Sequence, residues 1–171
     1  MSYTLAAAVA ARTRHVGNNV CFGLDPVLKR IPLRGAPHEV VERFGLGLLD
    51  ACLRRGVMPA AVKPNAAYFE CLGAQSVVVL ERVCKAWSDE GVHVVLDAKR
   101  GDIGRSSGCY ADAAFGPLCA SSVTVAPYMG RDSVEPFLEA QDKSAFLLLR
   151  TSNPGARNFQ DLQIDGKPLY L

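Results

Sequence analysis

The stretch VVLDAKRGDIG, Val94–Gly104, opens as an unbroken apolar run and then places Asp97, Lys99, Arg100 and Asp102 within six residues. The apolar part reads as a buried strand. In a strand, residues two apart point to the same side. Asp97 and Lys99 therefore share a face with Val95, and Ala98 points the other way. A core-facing row thus runs out to the rim and ends in charge.

Working outward, the same unit repeats. Residues 3–16 carry helical spacing, and NVCFGLDP (19–26) reads as a buried strand stopping at Asp25-Pro26. A helix is predicted over 38–55, a short strand over PAAVKPN (59–65) and a second helix over 75–90. Beyond the central strand, HVVLDAK (93–99), come a helix over 106–116 and a β-branched strand, SSVTVAP (121–127). A short helix over 132–140 and a fifth strand over 145–150 follow, and the residues after 157 are weakly patterned. Continuous apolar strands joined by helices predict an α/β fold with a parallel sheet. With no linker or low-complexity segment, residues 1–171 form one domain.

Each strand ends in polar residues: Asp25, Lys63, Asp97 with Lys99, Pro127-Tyr128, and Arg150-Thr151-Ser152-Asn153. Polar groups at the C-terminal ends of parallel strands mark the catalytic face of an α/β barrel or open sheet. Lys63, ending the neighbouring strand, can reach the Asp97–Lys99 face. Asp102 lies three residues past Lys99, after a glycine that lets the chain turn back. The reading is an alternating Lys–Asp–Lys–Asp set in a low-dielectric pocket, each carboxylate kept ionised by an ammonium beside it. A structural salt-bridge network is the plainer alternative, but burying four charges for stability alone is energetically poor.

Composition narrows the function classes. Of the 171 residues, 49% are hydrophobic and the net charge is +2, which argues against disorder and against a nucleic-acid footprint. Arg54-Arg55 and Lys99-Arg100 are short basic pairs of the kind usually left in solvent. Cys21, Cys52, Cys71, Cys84, Cys109 and Cys119 are scattered without metal-ligand spacing. They read as reduced core residues of a cytoplasmic protein. His15, His38 and His93 are isolated, so no metal site is expected. No window approaches a membrane span. The Ala-rich start reads as a first helix rather than a targeting peptide.

DAKRGDIG resembles the DxKxxD signature of the orotidine 5′-phosphate decarboxylase family. GLDP (23–26), VKPN (62–65), APYMGRDSVEPF (126–137) and RTSNPG (150–155) resemble, in order, further motifs of that family's longer bacterial subgroup. The likeness runs from about residue 19 to the end. It implies a (β/α)8 TIM barrel that converts orotidine 5′-monophosphate to UMP and CO2 without metal or organic cofactor. By the same resemblance Lys99 is the proton donor, Asp97 faces the substrate carboxylate and Lys63 contacts the ribose. Asp102 would reach the ribose in the other subunit of a homodimer. Asp25 would bind a ribose hydroxyl and Ser152 the pyrimidine. Ser106 stands where the family usually carries threonine and keeps the hydroxyl; Arg105 before it has no reading.

A full barrel needs eight strands and about 250 residues. The pattern here supplies about the first five βα units, so the phosphate-gripping loops of the later strands are not expected within it. The chain reads as the first part of the enzyme. The alternatives are a half-barrel completed by a second chain, a non-catalytic remnant, and a Mg2+-dependent sugar-phosphate decarboxylase of the same superfamily.

Overall fold

The computed structural model describes residues 4–171. Helix α1 spans Leu5–Val16; the expected start at Tyr3 lies outside the described residues. Thr4 caps it, its hydroxyl accepting from the Ala7 N–H, and Gly17 ends it in the left-handed region. There follow strand β1 (Cys21–Leu24), helix α2 (Pro37–Arg55), strand β2 (Ala61–Pro64), a single turn α3 (Ala67–Glu70) and helix α4 (Ala74–Asp89). Strand β3 is His93–Arg100, helix α5 is Gly104–Phe115, β4 is Ser122–Val125 and β5 is Ser144–Leu147.

The five strands form one parallel sheet in the order β1-β2-β3-β4-β5. Sequential neighbours joined by helices are what right-handed βαβ units produce. One sheet face carries Leu24, Val62, Val94, Leu96, Val123 and Val125, all buried in a single cluster with Val41, Leu49, Leu80, Val83 and Trp87 of α2 and α4. Phe22 of β1 stacks on Trp87 with centroids 6.4 Å apart. The other face, read by alternation and register, carries Lys63, His93, Val95, Asp97, Ser122 and Thr124. The row from Val95 to Asp97 thus faces away from the helices, on the side that lines the lumen when such a sheet closes.

Four expectations need correction. The first strand is buried only in part: Leu24 reaches the core but Cys21 is exposed, because β1 pairs only with β2 among the described residues and forms a sheet edge. No α-helix spans 132–140. Two 3-10 turns, Arg131–Ser133 and Glu135–Leu138, stand there. The Ser133 carbonyl that an α-helix would pair with Phe137 accepts instead from Ser107 Oγ, at 2.8 Å, and Phe137 N–H donates to Val134 O. Pro136 offers no N–H to the next bond. The cysteines are free thiols, but only Cys84 belongs to the core; Cys21, Cys71 and Cys109 are exposed. Burial, with Cys119 nearby, pushes the Cys84 thiol up to about 12. Finally, the weakly patterned tail contains a hairpin, β6 (Gln163–Ile164) with β7 (Lys167–Pro168). Asp165-Gly166 turns it with both φ positive, the Asp-Gly signal for a tight hairpin.

Candidate active site

Lys63, Asp97 and Lys99 come together at the C-terminal end of the sheet. Lys63 Nζ lies 3.0 Å from Asp97 Oδ2, and Lys99 Nζ lies 2.5 Å from Asp97 Oδ1. Asp97 is 8% exposed. Burial pushes its carboxyl up, but the hydrogen bonds and charges of Lys99 and Lys63 outweigh that and hold it below the usual carboxylate range.

The local backbone departs from a plain strand. Leu96 pairs with Val123 and Arg100 pairs with Val125, so Asp97, Ala98 and Lys99 stand opposite Thr124 alone. The ladder absorbs the excess by turning Lys99 into the left-handed region, φ 47°. For a residue with a side chain this costs on the order of 1–3 kcal/mol. Thr124 Oγ1 bridges the gap. It accepts from the N–H groups of Ala98 (3.1 Å) and Lys99 (2.9 Å), and donates to Asp97 Oδ1 (3.1 Å). The sequence reading stopped at Pro127-Tyr128 for this strand and missed Thr124; a β-branched strand residue carries no signal of what its hydroxyl meets.

Arg100 is not the solvated cation that its basic pair suggests. It instead donates to Glu70 of α3 at 2.6 Å, with its guanidinium 4.9 Å above the Tyr110 ring of α5. Its carbonyl accepts from the Ala126 N–H at 2.7 Å. These contacts fix the far side of the irregular segment.

The enclosed four-charge pocket is not what the structure shows. Lys99's side chain is 51% exposed, so the array is open on one side. Asp102 stands apart from it, with its Oδ1 accepting from the Ile103 N–H at 2.8 Å and no ion pair among the described residues. Asp25 is exposed just past β1, and Ser106 is exposed in the first turn of α5. Ser152 is exposed in the loop after β5. That loop is held by two adjacent clamps. Arg150 makes two bonds to Asp161, at 2.8 and 3.0 Å, and the Thr151 N–H donates to Gln160 Oε1 at 2.7 Å. The Arg150 guanidinium holds the Asp161 carboxyl below its ordinary range.

Chemically, an array of two ammoniums on one carboxylate can hold an anionic substrate, favour charge developing beside Lys99, and deliver a proton there. The model of the orotidine 5′-phosphate decarboxylase / HUMPS family matches residues 18–169. The chain belongs to this family. Orotidine 5′-phosphate decarboxylase of Roseiflexus sp. (strain RS-1) is 42% identical over 170 residues, covering 98% of this chain and 61% of the relative. That of Herpetosiphon aurantiacus is 40% identical, covering 97% and 60%. The solved structure of Leishmania donovani OMP decarboxylase superposes with a TM-score of 0.81 at 36% identity, covering 99% of this chain and 62% of that one. The chain therefore spans about 60% of the length of the curated relatives it matches. Its five parallel strands are part of a barrel of this family. Among the described residues no helix is long and apolar enough to cross a membrane.

Proposed function

We propose that the protein containing this chain decarboxylates orotidine 5′-monophosphate to UMP, as a homodimeric cytoplasmic enzyme of pyrimidine biosynthesis. The observation that carries this reading is the Lys63–Asp97–Lys99 array, held on a buried carboxylate at the strand ends of a family barrel. The bond from pyrimidine C6 to the carboxylate carbon breaks, and its electron pair stays on C6. CO2 leaves. The Lys99 ammonium, beside that carbon, favours the developing charge and then gives C6 a proton. Lys99 regains a proton from solvent.

Asp97, ionised and fixed by two ammoniums, faces the substrate carboxylate and disfavours it relative to neutral CO2. Lys63 holds Asp97 and contacts the ribose, and Asp25 takes a ribose hydroxyl. Ser152 binds the pyrimidine from its clamped loop. Ser106 supplies a hydroxyl, and Asp102 serves the partner subunit's site. Binding energy from ribose and phosphate holds the reacting carbon against Lys99. The reaction so drawn needs neither metal nor organic cofactor.

The test begins with the intact mass of the protein from its source cell, followed by UMP release from orotidine 5′-monophosphate. Turnover is expected in the complete protein. Lys99→Ala should lower it by more than about a hundredfold, the usual worth of a positioned acid, with the fold kept. Near-normal turnover in Lys99→Ala would overturn the proton-donor assignment. A complete protein without turnover would overturn the reading itself.

A further inference from the structure

Thr124 is half-buried on β4, an element that supplies none of the charged groups, and its hydroxyl is fully used. A threonine hydroxyl has one proton to donate and two lone pairs. Here the proton goes to Asp97 Oδ1, and the lone pairs meet the N–H groups of Ala98 and Lys99. Those two amides lie in the segment where three residues of β3 face one of β4, so β4's backbone cannot serve them all. We propose that Thr124 is a positioning residue, whose hydroxyl sets both the aim of the Asp97 carboxylate and the turned backbone from which Lys99 reaches substrate.

The inference rests on the decarboxylase reading for its catalytic consequence, but its geometry stands without it. Three elements converge on Asp97: Lys63 from β2, Lys99 from its own strand and Thr124 from β4. The lysines supply charge on long stems. Thr124, on a short side chain, supplies direction. Its hydroxyl ties the carboxylate to the amides of Ala98 and Lys99, so a shift in one is felt by the other.

The experiment compares Thr124→Val and Thr124→Ser in the complete protein. It reads kcat and KM for orotidine 5′-monophosphate, and the titration of the Asp97 carboxyl by carbon NMR. Thr124→Val keeps the shape and removes donor and acceptor. Its kcat should fall about tenfold, the scale of one hydrogen bond to a charged group, with KM within about twofold. The Asp97 titration should move up, because the charged form has lost a donor. Thr124→Ser should restore both. If Thr124→Val fails to fold, Thr124→Ala, which leaves space for water, takes its place with the same expectations. An unchanged Asp97 titration overturns the proposal, as does a change confined to KM or to thermal stability. Should the wild-type protein not act on this substrate, the function reading falls, while the titration still decides the role of Thr124.

Discussion

His93 occupies the same sheet face as Asp97 but lies four residues nearer the N-terminal end of β3, far from the charged array along the strand. Its Nε2 is 2.7 Å from Ser122 Oγ, and both residues are buried. Burial, with the Lys143 charge adding to it, pushes the imidazole below its ordinary range. The folded state therefore resists protonation, whereas the unfolded chain takes a proton near pH 6.5. This contribution to stability is complete above about pH 6.5 and is lost as pH falls toward the folded value. Thermal midpoints measured between about pH 7 and pH 5 should decline more steeply for the wild type than for His93→Gln. Parallel declines would show that His93 does not titrate differently on folding. At the same scale, Asp97 shifts the same way for an opposite cause: paired ammoniums overcome its burial, where His93 has only a hydroxyl partner.

Between elements, α2 and α4 approach closely at Gly45. A Cβ built on Gly45 would lie 2.9 and 3.2 Å from the two methyl carbons of Val83, which is fully buried. Gly47, two residues on, would meet nothing within 4 Å. The two glycines of one helix therefore have opposite expectations. Gly47→Ala should stabilise by about 0.5–1 kcal/mol, since alanine is the better helix former and the space is open. Gly45→Ala gains the same propensity but must push Val83 into a packed core, for a net loss of about 1–2 kcal/mol. Chemical denaturation of both variants tests this. Equal effects would mean the α2–α4 contact yields more easily than its geometry indicates.

Across the whole molecule, the sheet runs from an edge at β1 to an edge at β5, and neither is paired on its outer side among the described residues. Exposed Phe146 and Leu147 lie on β5, with Val20 just ahead of β1. Apolar residues on open strand edges mark where a further strand or a second chain can pair. The role proposed for Asp102 belongs to this scale: among the described residues its carboxylate touches no lysine. If it completes the site of a second copy, Asp102→Ala and Lys63→Ala are complementary defects. A heterodimer of the two has one site with both groups intact and one with neither. Mixed dimers should recover about half of the wild-type turnover, from variants that are nearly inactive alone. Verified heterodimers no more active than their parents would place Asp102 in its own subunit's site or outside it.

The alternation of strand and helix, the parallel sheet and the placing of Lys63, Asp97 and Lys99 together at strand ends were legible in the sequence, whereas the fifth strand ends at Leu147 and leaves Ser152 in the loop beyond it. The legible features follow from a local period: two in strands, 3.6 in helices, with polar residues where a period breaks. The Lys63–Asp97–Lys99 contact was within reach of that reading too: the strands are neighbours, and although the register sets Asn65 rather than Lys63 beside Asp97, the long lysine stem spans the two-residue offset. Only the tertiary structure decided that three residues of β3 face Thr124, that Arg100 spans Glu70 and Tyr110, and that Asp102 stands apart. It likewise put Cys21 at an exposed edge and broke the expected helix at 132–140 through a bond from Ser107. These outcomes depend on which distant group occupies a given hydrogen bond or covers a given face. A local pattern cannot name that partner; the packing of the neighbouring element chooses it.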